Sequence, residues 1–340
     1  WAIWNDSIMR FISNAGVTDP HMNLALEEYC LRRLDMRSGY FLLYVNAPSV
    51  IIGRNQNPIL EINRPYLRKK SIQVVRRVSG GGAVYHDWGN LNFSFLTRYD
   101  RHYFHNFKRF TDPVISALNH LGVPAELDRR NNILAGGLKV SGHAQYATGK
   151  TMLSHGTLLL NSDLEALEQS LQPEKADIQS KALRSIRSRV VNLSDFLPSP
   201  TDMETFRTLM LEALFRPFGG VREYRLSEED WARIIDLAHK KYRSWSWTYG
   251  RSPKFELHRI GRFECGTLQA RITVEKGVIR ECDLFTDSLQ KAETGSLATR
   301  LIGARFAVDA IRKILKEQDL KTAVGPVTPK AFEDFLAPFP

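Results

Sequence analysis

Residues 72–96, IQVVRRVSGGGAVYHDWGNLNFSFL, set the tightest limit on how this chain can fold. An apolar run, Ile72, Gln73, Val74 and Val75, leads into Arg76 and Arg77, then Ser79 and three successive glycines, Gly80, Gly81 and Gly82. Ala83, Val84, Tyr85, His86 and Asp87 carry the chain to a second alternating run over 91–96, and both flanks read as strands. Three glycines between strands bury no side chain and cost conformational entropy, so packing does not explain them. They allow close backbone approach, with bare N–H groups able to face an anion, while the arginines set cationic donors alongside. A phosphate or carboxylate ligand is expected here; a flexible glycine-rich turn with two surface arginines is the alternative reading.

A second stretch favours the ligand. Arg130, Asn131, Asn132 and Ile133 precede Gly136, Gly137, Leu138, Lys139, Val140, Ser141, Gly142, His143 and Ala144, which set one lysine among small residues, and residues 154–160 read as the strand that follows. Together these stretches resemble the lipoate–protein ligase family, whose marks are an R-R-x-S-G-G-G-A-V-[FY]-H-D loop, a later K-x-S-G lysine and an H-G-T-L-L strand. The loop matches from Arg76 to Asp87 at every fixed position. Further likeness runs through residues 23–28 (NLALEE), 48–57 (PSVIIGRNQN) and 186–193 (IRSRVVNL), and more loosely through 247–253 (WTYGRSP), which is similar to the lead-in to the small C-terminal domain of the bacterial ligases.

The resemblance implies an α+β fold of the biotin/lipoate ligase kind, with mixed and antiparallel sheets flanked by helices, and a small α+β C-terminal accessory domain. The polar stretch over 240–253 sets the expected boundary, giving a catalytic domain over 1–245 and the accessory domain over 246–340. The implied reaction is ATP-dependent: lipoate is activated to lipoyl-AMP, and the lipoyl group then passes to a lysine of lipoyl domains in 2-oxoacid dehydrogenase complexes or of the glycine-cleavage H protein. Lys139 is the expected catalytic residue, bridging the α-phosphate and the acyl carbonyl oxygen. ATP or lipoyl-AMP is expected to bind Arg77, Ser79, Gly80, Gly81, Gly82, Ala83, Val84, Tyr85, His86, Asn131, Lys139, Ser141, Gly142 and Thr157. Among these, Arg77 would donate to a phosphate or carboxylate oxygen. His86 is weighed toward the site and His155 toward structure, while Asp87 would pin the loop by accepting backbone N–H bonds.

Mg²⁺ is expected with the nucleotide. Where the family often has G-R-N-D, this chain has Arg129, Arg130, Asn131 and Asn132, so an amide replaces an acidic group and Asn132 is the remaining candidate near a metal. Some members carry an arginine seven positions after the lysine; here that position is Tyr146, and no acyl contact is assigned to it. Two related activities stay open, a lipoyltransferase using preformed lipoyl-AMP and an octanoyltransferase. The latter needs a nucleophilic cysteine near the lysine, and none of Cys30, Cys265 and Cys282 lies near it in sequence. A non-catalytic binding module is disfavoured by the intact lysine and glycine loop, and the G-R-G-R-x-G loop of biotin ligases is absent.

Composition narrows the class further. With 340 residues, 43% hydrophobic and 25% charged, the chain is an ordinary globular one with room for two domains. Forty-seven Lys and Arg against thirty-seven Asp and Glu leave a net charge of +10, which favours an acidic partner. Lipoyl domains, commonly acidic as the resemblance implies, fit that charge. No basic stripe is interleaved with aromatics, so nucleic acid is not expected. Three widely spaced cysteines without Cys or His clustering point to a reducing compartment. No apolar run reaches membrane-spanning length, and residues 1–6 lack a signal-peptide pattern. A cytoplasmic monomer is expected, or a mitochondrial one if the leading Trp1 marks a processed eukaryotic chain.

In chain order, Asp19 and Pro20 open a helix with Met22, Ala25, Leu26, Tyr29 and Cys30 inward. Strands over 40–45 and 50–52 are expected to pair across Asn46, Ala47 and Pro48, with the turn over 53–57 on the ligand side. A basic helix over 64–70 follows, then an amphipathic helix over 105–121 burying Phe107, Phe110, Val114, Leu118 and Leu121. Strands over 124–127 and 133–134 flank the turn at 129–132, and helices are expected over 164–171, 203–215 and 228–240. Beyond the boundary, 268–275 and 278–285 form a hairpin about Lys276 and Gly277, and 306–316 a helix.

Overall fold

The computed structural model describes residues 9–173, 177–180, 182, 184–185, 188–264, 266–287, 294–336 and 339. Expectations that fall on residues 1–6, Ile186, Arg187 and Cys265 lie outside them. Two units divide the chain: the described residues of Trp1–Arg54, Pro65–Gln172 and Ser185–Ser244 form the first, those of Asn55–Arg64, Pro173–Arg184 and Trp245–Pro340 the second.

The first unit runs through β1 (Met9–Ile12), α1 (Pro20–Arg33), β2 (Gly39–Val45), β3 (Ser49–Ile52), α2 (Arg64–Lys69, its first residue grouped with the second unit), β4 (Gln73–Arg76), β5 (Val84–His86) and β6 (Asn90–Arg98). It continues with α3 (Phe107–His120), β7 (Ala125–Leu127), β8 (Ile133–Ala135), β9 (Leu138–Ser141), β10 (His143–Ala147), β11 (Thr151–Leu159), α4 (Leu164–Ser170), α5 (Met203–Phe215) and α6 (Glu228–Leu237). Five strands form one sheet in the order β1, β2, β6, β11, β10, with β1 parallel to β2 and the other neighbours antiparallel. A mixed three-stranded sheet places β3 between parallel β4 and antiparallel β5, and a third sheet, β7, β8, β9, is antiparallel. The architecture is α+β with mixed and antiparallel sheets.

Asp19 caps α1 by accepting from the His21 amide at 2.9 Å, Pro20 takes the first turn, and Arg32 and Arg33 sit in the last, where they meet the negative end of the helix dipole. Both sides of the helix are covered, and its interior extends to Glu27 and Glu28. The core of the unit lies where α3 and α5 cover the five-stranded sheet. Phe95 of β6 stacks between Phe41 of β2 and Phe110 of α3, at centroid distances of 4.7 and 5.9 Å.

The expected pairing of residues 40–45 with 50–52 does not occur. β2 pairs with β6 over six residues, while β3 turns away to pair with β4 and β5. The connection is drawn inward: the Asn46 amide accepts from Asn23 at 2.9 Å and donates to His86 at 3.0 Å, and the Ala47 amide binds the Thr18 carbonyl. With those polar groups committed to other elements, a tight hairpin has nothing left to close it. Val84, Tyr85 and His86 likewise form a strand of their own, and the run after the glycine loop enters the other sheet as β6.

The second unit contains β12 (Asp177–Ser180), α7 (Trp245–Thr248), β13 (Phe255–Phe263), β14 (Gly266–Glu275), β15 (Val278–Thr286), α8 (Thr294–Leu301), α9 (Val308–Lys316), α10 (Leu320–Val324) and α11 (Pro329–Leu336). Its sheet is antiparallel in the order β12 to β15. The hairpin of β14 and β15 closes at Lys276 and Gly277, at φ 52° and 73°, the left-handed pair a two-residue hairpin turn requires. Phe255, Phe306 and Phe339 pack edge to face at 5.8 to 6.1 Å in its core.

Candidate active site

β4 and β5 lie on opposite edges of β3, so residues 77–83 must carry the chain across the end of that strand. Gly81 takes φ +88°, and a Cβ on Gly53 would lie 2.1 Å from the Gly81 carbonyl oxygen, so the two backbones touch as only glycine permits. Arg77 gathers the loop from inside. Its Nη2 donates to the carbonyls of Gly80 and Gly82 at 2.6 and 2.7 Å, Nη1 to Ile51 at 2.9 Å, and Nε to Ser79 Oγ at 3.0 Å. The Arg77 fork, expected to face a ligand, is instead engaged by the Ser79 hydroxyl and by the carbonyls of Ile51, Gly80 and Gly82. Burial lowers its pKa to about 10, against the pull of Glu27 and Tyr44 in the other direction. Among the described residues nothing accepts from the amides of Gly80, Gly81 or Gly82, which leaves three consecutive N–H donors for an anion.

Lys139 stands in the middle of β9, between Leu134 of β8 and Val190, its amide bound to the Arg189 carbonyl and its carbonyl to the Val191 amide. Its side chain folds back over Gly142, where an added Cβ would meet Nζ at 3.2 Å. Burial pulls the ammonium's pKa below the ordinary lysine value, offset in part by Asp128. No described acceptor hydrogen-bonds that ammonium. The glycine loop comes close to the residues that follow: a Cβ on Gly81 would lie 3.8 Å from that of Ala144, two residues past Gly142. Ser185, four residues before Arg189, accepts from the Ala83 amide at 2.8 Å and ties the loop to the segment that flanks Lys139.

Around this meeting point, Thr157 of β11 faces Gly142, and His143 bridges Ser141 Oγ at 3.3 Å and the carbonyl of Asn131 at 3.0 Å. Asn131 sits at φ 62°, and the Asn132 amide group donates to Asp128 Oδ2 at 2.9 Å. Val84, Tyr85 and His86 alternate along β5. His86 faces Arg77 and His155, and its Nδ1 accepts from Asn46, so its Nε2–H is a buried donor without a partner among the described residues. Tyr85 turns the other way, toward Asp87, Asp163 and Tyr66. Asp87 accepts from the amides of Gly89 and Asp163 at 2.9 and 2.8 Å.

Comparison with known proteins identifies the arrangement. The family described as lipoyl protein ligase A/B catalytic domain matches residues 19–215, and that described as bacterial lipoate protein ligase C-terminus matches residues 252–336. The lipoate-protein ligase LplJ of Bacillus subtilis is 46% identical over 330 residues, covering 96% of this chain and all of the relative. The chain belongs to the lipoate–protein ligase family. Its activity is that of a lipoate–protein ligase. A lipoate-protein ligase A crystallised with ATP superposes at a TM-score of 0.61 with 26% identity, over 72% of this chain and 99% of that one. A bipartite ligase from Thermoplasma acidophilum, studied with its E2 lipoyl domain, gives 0.62 and 25%, over 72% and 97%.

In this ligase three residues do more than the sequence reading assigned. Glu27 was visible only as part of a helical motif, His143 only as a neighbour of the lysine, and Ser185 carried no local signal, since its partner is a hundred residues away. His155, weighed toward structure, is buried between Glu27 and Ser79. Cys30 and Cys282 are buried and free, and burial raises both thiols, Cys282 to about 12, the opposite of what a thiolate nucleophile requires. Among the described residues no three His, Cys, Asp or Glu side chains gather as a metal site, and Asp128 spends both oxygens on its own turn. The described side chains therefore offer no ready-made cluster for a protein-held cation. No described helix is long and apolar enough to cross a membrane.

Proposed function

We propose that the free amides of residues 80–82 and the Lys139 ammonium hold one acyl-adenylate, and that both steps of lipoate ligation run there. In the first step a lipoate carboxylate oxygen attacks the α-phosphorus of ATP, the bond to the bridging oxygen breaks, and pyrophosphate leaves. Negative charge accumulates on the α-phosphate, where the half-buried Lys139 ammonium and N–H donors fixed in place by the loop act most strongly. In the second step the amine of a lipoyl-domain lysine attacks the acyl carbon and AMP leaves, with Lys139 donating to the carbonyl oxygen.

Ser141, Gly142 and Thr157 form the wall beside the lysine, Asn131 and His86 supply further polar contacts, and Arg77, Ser79 and Ala83 keep the loop in shape. Mg²⁺, where it accompanies the nucleotide, would supply charge neutralisation on the phosphates. The acceptors are lipoyl domains of 2-oxoacid dehydrogenase complexes and the glycine-cleavage H protein, met in the cytoplasm by a monomeric enzyme whose accessory domain begins near residue 246. The observation that carries this reading is the unpaired Lys139 ammonium beside Gly142, with the glycine loop one short strand segment away.

The test omits the acceptor. Protein, ATP, Mg²⁺ and lipoate should release pyrophosphate and retain lipoyl-AMP. Failure to release it, together with efficient transfer from supplied lipoyl-AMP, would instead mark a transferase.

A further inference from the structure

One buried carboxylate outside the proposed contacts leads, bond by bond, to the glycine loop. Glu27 of α1 is 1% exposed. Its Oε1 accepts from Tyr44 at 3.0 Å and from the Ser94 hydroxyl, and His155 Nδ1 lies 3.2 Å from each of its oxygens. On the other side of the imidazole, Nε2 is 2.7 Å from Ser79 Oγ, which accepts from Arg77 Nε at 3.0 Å. A carboxylate offers only acceptors, so His155 donates from Nδ1, while its Nε2 pairs with the Ser79 hydroxyl, whose oxygen also accepts from Arg77. Although burial works to raise it, the pKa of Glu27 is held below the ordinary value by His155, Ser94 and Tyr44, which keeps the first acceptor of this line ionised.

We propose that Glu27, acting through His155 and Ser79, is a positioning residue that sets the plane of the Arg77 guanidinium and thereby the shape of the glycine loop. The inference rests on the reading that the loop holds the acyl-adenylate. Ile51 of β3 holds Nη1 from one side and the Ser79 oxygen holds Nε from the other, and together they fix the plane in which Nη2 reaches the loop carbonyls. An amide at position 27 sets a donor against the imidazole. The imidazole then keeps one acceptor of two and faces a donor at the other, its orientation loosens, and the Ser79 oxygen that holds Arg77 loosens with it.

Glu27→Gln, Ser79→Ala and the double variant test this, the serine truncation being mild enough to fold if the glutamate change is not. Two readouts are taken. One is exchange of the protected amides of Arg54, Arg77 and Ala83, which bond to Ser79, Ile52 and Ser185. The other is kcat/KM for ATP in acceptor-free pyrophosphate release. Each single variant should speed exchange and lower kcat/KM on the order of tenfold, as loss of a hydrogen bond to a charged group implies. The double variant should lose no more than either single, because both break the same line. Unchanged exchange in Ser79→Ala, or losses that multiply in the double variant, would overturn the proposal. Faster exchange with unchanged kcat/KM would uphold the positioning line and refute the placement of the nucleotide at the loop.

Discussion

Lys139 and the histidines give the clearest single-site predictions. Lys139→Ala removes one preorganised cation from a buried site, and acceptor-free pyrophosphate release should fall on the order of 10²-fold or more while the melting temperature changes little. Near wild-type release would remove Lys139 from the reaction. His86 and His143 have their pKa values lowered to about 3 and about 4. Burial is the main cause in both, with Arg77 and His155 adding to it for His86, and Lys139 and His155 for His143 against a bond to the Asn131 carbonyl. Unfolded, each takes up a proton near pH 6.5, so the unfolded chain binds more protons below that point. Their contribution to stability is fully present above about pH 6.5 and is lost as pH falls toward 4. A melting-temperature profile between pH 7 and 4.5 should slope downward on acidification, and His143→Gln should flatten part of that slope; a parallel profile would show that His143 protonates freely in the fold.

Helices and strands differ in how much of themselves they display beforehand. α1, α3 and α5 were legible because cap and stripe lie within one segment. Asp19→Ala removes a cap worth about 1 kcal/mol, whereas Phe110→Ala opens a cavity beneath Phe95 and should cost about 3–5 kcal/mol. Denaturant midpoints should therefore separate the two variants, and equal shifts would mean the aromatic core around Phe110 collapses on truncation. The hairpin at Lys276 and Gly277 was legible for the same local reason. The partner of β3 was not: Ser49, Val50, Ile51 and Ile52 suit any sheet, and their allegiance was decided by the Asn46 amide reaching Asn23 and His86. Of the site, the glycine loop and Lys139 could be read from their own residue types. Arg77 was misjudged because its type says what it can donate, not that Gly80, Gly82 and Ile51 would claim the donors first.

For the molecule as a whole, charge is the property that acts at a distance. A net +10 should draw an acidic acceptor by long-range attraction, which salt screens over roughly 8–10 Å at physiological strength. Raising the salt should slow transfer to a lipoyl domain far more than it slows adenylation; equal slowing of both steps would mean the charge does not steer the encounter. Chain order has a consequence of its own. Because residues 173–184 belong with the C-terminal unit, and Ile178 pairs with Leu257 there, a single stop codon after Ser244 would not free an intact N-terminal half. It would leave the backbone of β12 with an empty edge, inviting the truncated product to stick to its own kind. Anyone wishing to produce the halves apart must transplant that segment, and Asn55–Arg64 with it, along with the C-terminal gene fragment.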